Sequence, residues 1–410
     1  MPQAGGGMKG DLRVIVTGLI AQHPLGGVTW DYLQYPLGLR QLGYDVYYFE
    51  DSGAWPYALD GGLDGDVFIV PDCGANVAYL AGVMERFGLA SRWAYRCPID
   101  GGWFGLSELK RREVIESADL LLNISSTVVR PAEYRAIPRL AFVDSDPVFT
   151  QIKLARGQRD FRAVVDAHDV HFSFGECLTE RVPDTGHYWR PTRQPIVLDE
   201  WRVGEDHRGV WTTVMNWSSY NPVAFGGKTY GQKNIEFRRF LDLPGLVKPT
   251  VLEIAARGTR KRRLPVGLLG HLRYKGWEVA DPGEVCAGLD GYREYLQSSQ
   301  AEWSVAKNGY VEGRPGWFSC RSACYLSAGR PVVVQDTGFG GVLPTGRGLI
   351  SFSSLAEAAE GIRSVTSDYE LHSRAARDIA AEYFDSRKVL AHLVEEAMTA
   401  TPTAVGETAS

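Results

Sequence analysis

Short runs that are apolar on both faces punctuate the chain, and the segments between them carry helical spacing. Residues 13–17, 45–50, 66–70, 92–96, 119–123, 139–143 and 170–174 read as buried strands in the first half, and 210–216, 250–255, 277–280, 303–306 and 332–336 in the second. Runs without alternation belong to parallel strands covered by helices, since alternation appears only where one face meets water. Between them, 29–42, 75–87, 108–117, 234–241, 292–298 and 320–328 have helical patterns, and Pro36 falls inside the first. Strand alternating with helix predicts βαβ units, hence an α/β fold of parallel sheets.

Two such units are expected. The chain has 410 residues, beyond the roughly 250 to 300 at which one core stops growing. Residues 189–198 contain Pro191 and Pro195 and fit neither period, which marks a semi-rigid linker. The reading is therefore a first unit over 11–195 and a second over 205–380, then a terminal segment 381–398 with an apolar stripe of Val389, Leu390, Leu393 and Val394. Residues 1–10 and 399–410 are read as loose tails. Ser354 and Ser367 head two capping boxes before the last helices.

Composition removes several function classes. Hydrophobic residues make up 44% and charged residues 23%, as in ordinary globular proteins. Net charge is −5, which gives no general attraction to nucleic acid or anionic lipid, and the basic run 257–263 reads as a solvated loop. No run reaches 18 apolar residues, and the first residues lack a signal-type apolar core. Six cysteines at non-zinc spacings are expected to be reduced thiols in the cytoplasm. Neither nucleic acid nor a membrane span is expected, and a homodimer stays open.

Candidate chemistry concentrates in residues 314–349. Pro315 and Gly316 break the preceding structure, Ser319 stands where an N-cap belongs, and Gly329 ends the short helix that follows. Three valines then lead to Asp336, Thr337 and a glycine-rich loop with Gly340 and Gly341. A helix start beside such a loop exposes unpaired N–H groups, which suit the oxygens of a diphosphate. Elsewhere, Asp144 and Asp146 follow a strand, as either a catalytic pair or an Asx-turn closed by Pro147. No third ligand clusters with them, so no metal is inferred. His23 lies in the loop after the first strand, with Gly26 and Gly27; the Gly-rich aromatic loop with Asp100, Gly101 and Trp103 suits a sugar or planar molecule. Glu50 and Asp51 read as a solvated strand end, and no G-x-G-x-x-G follows the first strand, which disfavours a dinucleotide site there.

Gly316-Trp317-Phe318-Ser319, Ser322-Ala323, Ala328-Gly329-Arg330-Pro331 with its valines, and the glycine loop after Asp336 resemble the nucleotide-sugar-binding half of GT-B glycosyltransferases. The resemblance is close over about the last hundred residues and covers the rest in outline. It implies two Rossmann-like domains facing a cleft, with the C-terminal helix crossing back. It also implies transfer of a sugar from a UDP-, dTDP- or GDP-type donor to a small-molecule or glycan acceptor, with a nucleotide-sugar co-substrate and no other cofactor. Under it, Ser319, Arg321, Ser322, Gly340, Gly341 and the lysines Lys228 or Lys307 hold the diphosphate, with Lys233 as second choice for the loop after residue 216. Asp336 and Thr337 face the donor sugar, and Gly26, Gly27, Asp100, Gly101 and Trp103 face the acceptor. His23 serves as base, with Asp144 and Asp146 in support. Retaining members carry Glu-x7-Glu where this chain has Gly316 and Cys324, which leans the expectation toward inversion. An epimerase on the same fold, or a non-catalytic nucleotide- or carbohydrate-binding protein, are the alternatives.

Overall fold

The computed structural model describes residues 12–57, 72–204, 206–258 and 264–401. Two sheets organise it. The first has eight strands in the order Trp103–Gly105, Trp93–Arg96, Asp45–Glu50, Arg13–Thr17, Leu120–Ile124, Arg139–Asp144, Val170–Ser173 and Trp189–Pro191. All run parallel except Trp103–Gly105, which pairs antiparallel with Trp93–Arg96. The second has six parallel strands in the order Glu278–Ala280, Val251–Arg257, Val210–Asn216, Ala301–Ser304, Val332–Gln335 and Leu349–Phe352.

Counted along the chain, the second sheet follows the doubly wound order 3-2-1-4-5-6, and the first does the same apart from its extra edge strands. In this order the connections leave a central strand pair in opposite directions and open a crevice at the carboxyl ends. That pair is Arg13–Thr17 with Leu120–Ile124 in one sheet and Val210–Asn216 with Ala301–Ser304 in the other.

The strands match the hydrophobic pattern because strands covered on both faces must be apolar throughout: Val14, Ile15 and Val16 are all fully buried, as are Val332 and Val333. One apolar core runs from the first sheet through Phe318, Tyr325 and Leu326 to Leu390 and Leu393. After the last strand the chain passes through Leu355–Ser367 and Tyr369–Ile379, a π-turn at Ala380–Phe384, and the helix Ser386–Thr399. This final helix packs along Gly26–Gln41 of the first unit, and Ile196 bonds to the backbone at Phe384 and Ser386. Among the described residues no helix is long and apolar enough to cross a membrane.

Several expectations need correction. Gly26 and Gly27 form the first turn of the Gly26–Gln41 helix instead of a loop, and a Cβ at Gly26 would lie 2.1 Å from the Gly288 carbonyl oxygen of the second unit, so only glycine fits at this close approach. The linker opens as an edge strand, Trp189–Pro191, where Pro191 needs no N–H partner. Loop 217–232 folds into a hairpin of Val223–Phe225 with Lys228–Tyr230. Asp368, not Ser367, caps the Tyr369–Ile379 helix by accepting from Leu371 N–H. Two short helices, Phe149–Ala155 and Arg159–Asp166, were not legible. Cys73 and Cys97 are joined in a disulfide across 24 residues, against the expectation of six reduced thiols, because helix start and strand end bring their Cα atoms to 6.2 Å. The strand expected at 66–70, the tail 1–10 and most of the basic run lie outside the described residues, as does the tail expected at 399–410 except for residues 399–401, of which Thr399 ends the last helix.

Candidate functional site

The two crevices face each other and merge into a cleft of two lobes. A more apolar lobe encloses about 320 Å³ and a more polar one about 460 Å³, and both are bordered by Asp31, Tyr32, Ser125, Asn216, Lys233 and Ser319. Each crevice contributes groups of different character.

From the second sheet comes the helix Cys320–Ser327. Ser319 is its N-cap with extended backbone, as expected, but its hydroxyl accepts no bond from the helix, so the first N–H groups keep their hydrogen-bonding capacity toward the cleft. Arg321 lies beneath. Its Nε donates to Glu302 at 2.6 Å, and its terminal nitrogens donate to the Val214 carbonyl at 2.6 Å and to Ser304 Oγ at 3.0 Å. Burial works against this cation, yet the Glu302 carboxylate overrides it and holds the pKa above its ordinary value. Arg321 is thus a fixed charge in the floor, with most of its donors already used.

Lys233 begins the helix after the hairpin and borders both lobes. Its ammonium forms no hydrogen bond or ion pair with the described residues. Desolvation, then repulsion by Arg321 and Lys307, pushes its pKa well below the usual lysine value despite Glu302. A half-buried cation without an ion-pair partner is costly unless a ligand brings the counter-charge.

The first sheet supplies an acid. Asp31 projects from a helix otherwise buried on nearly all sides, Thr29, Trp30 and Tyr32 to Leu39 among them. Burial raises its pKa to about 6, partly offset by the Cys320 thiol and the Arg321 charge. It borders both lobes. The sequence carried one signal for it, a lone carboxylate within a buried apolar helix.

The remaining expected residues divide. Lys307 borders the polar lobe but is engaged across the cleft: its Nζ donates to Asp146 at 2.7 Å, inside a cage of Phe149, Tyr220 and Tyr310 rings. Asp146 also accepts from the Tyr220 and Tyr310 hydroxyls. Burial would raise its pKa, but Lys307 and the two hydroxyls outweigh that and lower it. Asp144 is 1% exposed and accepts from Thr150 Oγ1 at 2.7 Å, Ser173 Oγ at 2.9 Å, Gln151 Nε2 at 3.0 Å and Asp146 N–H at 3.0 Å. The last bond is the Asx-turn, so this pair closes a loop and latches the units together. Sequence spacing cannot reveal partners that arrive from another sheet.

Gly27 borders the apolar lobe, and the other candidates fall outside both lobes. His23 stacks on Tyr57 at 4.3 Å between ring centroids. Lys228 is exposed on the hairpin. Ser322 is buried and, with Thr337, borders a separate cavity of only about 20 Å³. Gly340 and Gly341 form a short 3-10 turn, and Asp336 is paired with Arg314 at 2.7 Å. Asp100 and Gly101 lie in the turn before the antiparallel edge strand that holds Trp103, whose ring stacks beneath Arg111. That edge is three strands away from Arg13–Thr17, too far along the sheet to reach the crevice. Glu50 and Asp51 are fully buried, not solvated: Glu50 accepts from Ala21 N–H, Gln22 N–H and the Tyr48 hydroxyl, which shapes the loop after the first strand.

Comparison with known proteins adds the architecture. No family model matches the chain, and no curated protein matches it. Solved structures do. HepE of Anabaena in complex with UDP and glucose superposes with a TM-score of 0.54 at 10% identity, covering 94% of this chain and 98% of that one. The chain has the GT-B fold. The glycosyltransferase AviGT4, involved in avilamycin A biosynthesis, gives a TM-score of 0.53 at 13% identity over 94% and 97%. An α-glucosyltransferase in complex with UDP and a 13-mer DNA containing an HMU base gives 0.55 at 10% over 95% and 100%. Gly316 holds φ at +78° and a Cβ there would lie 3.0 Å from the Cys177 backbone nitrogen, so backbone and space both disfavour any side chain at this position.

Proposed function

We propose that this protein transfers a sugar from a nucleoside diphosphate sugar to an acceptor held between its two units. Residues 205–380 would bind the donor and 11–195 present the acceptor, with 381–398 tying the two together. The observation that carries the reading is Lys233: an unpaired, desolvated ammonium bordering both lobes beside the open helix end at Ser319. Departure of a nucleoside diphosphate puts negative charge where those donors converge, and donors fixed in advance stabilise it without reorganisation. With Arg321 in the floor, the protein's own cations are placed to neutralise the leaving group.

Asp31 is proposed as the base that takes the acceptor proton, with inversion as the outcome. With a pKa of about 6 it is ionised at neutral pH and basic enough to accept a proton as the hydroxyl attacks. His23 remains the rival from the sequence, stacked on Tyr57. Thermal shift with UDP, dTDP, GDP and CDP tests the donor half: at least one should raise Tm, since a ligand of the native state stabilises it, and a flat response to all four would refute the donor site. The UDP complexes of the similar structures make UDP the first ligand to try.

A further inference from the structure

One buried amide in the cleft has nothing to bond. Gln232 is 1% exposed and borders the polar lobe, and its Nε2 has no hydrogen-bond partner. The Tyr220 oxygen is the amide's polar neighbour, but the contact falls short of hydrogen-bond geometry and leaves Nε2, which carries two N–H donors, unsatisfied. An unsatisfied buried donor costs about 1–3 kcal/mol, so it marks a place where a ligand supplies the acceptor.

The rest of that lobe points the same way. Lys153 borders it with its ammonium 5.2 Å from the Phe161 ring centroid and without an ion pair to the described residues. Ser125 and Ser126 hold φ of +59° and +60° where the strand Leu120–Ile124 enters the lobe, a conformation that costs non-glycine residues on the order of 1 kcal/mol and concentrates at ligand sites. Of the carboxylates that border the lobe, Asp144 accepts four hydrogen bonds and Asp146 is held by Lys307 and two tyrosines. Among the described residues, Asp31 alone stands against two lysines without an ion pair, Lys153 and Lys233, so the uncommitted groups keep an excess of positive charge and of donors, and the missing ligand is rich in acceptor oxygens and carries negative charge.

We infer that the polar lobe is an acceptor subsite for a compact, polyhydroxylated molecule with an anionic head group, phosphate or carboxylate, met by Lys153 and Gln232 Nε2. The assignment rests on the sugar-transfer reading and adds the acceptor's chemical class to it. It is tested by thermal shift of the full chain with glucose, glucose 6-phosphate and glucuronate, each with and without saturating UDP. Glucose 6-phosphate, glucuronate or both should raise Tm, also when UDP is bound, while glucose should not; which probe acts identifies the head group. Lys153→Met should weaken that binding about tenfold or more, as loss of a charge-assisted bond does. Gln232→Leu, which removes the orphan amide without creating another, should weaken it less while leaving the fold at least as stable. Both variants should keep the UDP shift. An anion shift that UDP abolishes and Lys153→Met leaves intact would place the anion at Lys233 and overturn the subsite, as would an equal response to glucose. Absence of any nucleotide shift would instead overturn the donor reading, so the two failures are told apart.

Discussion

At the crevice of the first sheet the cleft is walled by Asp31, Tyr32 and Ser125, whereas at the second it meets Lys233, Arg321 and the open helix end at Ser319. The two sheets share a strand order, and the same crossover geometry puts an empty space at the carboxyl end of each. What differs is the sign of the groups carried by the loops and first helical turns. One side holds a carboxylate with a raised pKa, and the other holds a lysine with a lowered one. A repeated scaffold thus supplies two similar crevices, and a few side chains give them opposite electrostatic character.

The contrast breaks most sharply at Asp31. Asp31→Asn should lower kcat by roughly 10²- to 10⁴-fold and abolish the rise in activity through about pH 6, while the nucleotide shift in Tm survives. His23→Ala, outside the lobes, should change kcat by no more than about twofold. If His23→Ala produces the large loss instead, the acid side of the cleft has been assigned to the wrong residue.

Lys233→Met should cost roughly 10²- to 10³-fold in kcat/KM, the worth of one donor aimed at developing charge. The same change should raise Tm, because the ligand-free protein no longer buries an uncompensated ammonium. A fall in Tm would mean that Lys233 is structural, and the comparison between the two sides would lose its cationic half.

The smallest expected effect lies in the pH dependence of stability. Burial raises Glu50 to about 7, against the Ala21, Gln22 and Tyr48 donors, so its folded pKa exceeds the unfolded value of 4.5. Its contribution is therefore present below pH 4.5 and is lost as pH rises through about 7, by on the order of 3 kcal/mol. Lys233 has the opposite sign. Its folded pKa is depressed, so its penalty is felt at lower pH and is relieved as pH climbs toward 10.5. Denaturant titrations of Glu50→Gln across pH 5 to 8 should show a flatter profile than the wild type; an unchanged slope would deny Glu50 this role.

Much of the fold was legible because buried parallel strands must be apolar, and Arg13–Thr17, Asp45–Glu50 and Val210–Asn216 follow the pattern residue for residue. The segment around Ser319 was legible for a local reason: proline and glycine break the preceding structure through neighbouring backbone, and Ser319 takes the N-cap position although its side chain makes no capping bond. Lys307, Asp144 and Asp146 border the polar lobe, but Lys307 and Asp146 neutralise each other across 161 residues and Asp144 is saturated by Thr150, Gln151, Ser173 and the Asp146 N–H. Asp31 and Gln232 went unread because their importance lies in what does not surround them. The disulfide escaped because spacing says nothing about the approach of Cys73 to Cys97.

By itself the sequence determined the periodicities, hence two parallel sheets, and the breakers and cap that put a helix start at Ser319. Those properties depend on residues a few positions apart. Only the tertiary structure decided which charges stay uncommitted, because the free energy of a buried charge depends on every group within a few ångströms, and in a doubly wound chain most of those groups come from far along the sequence.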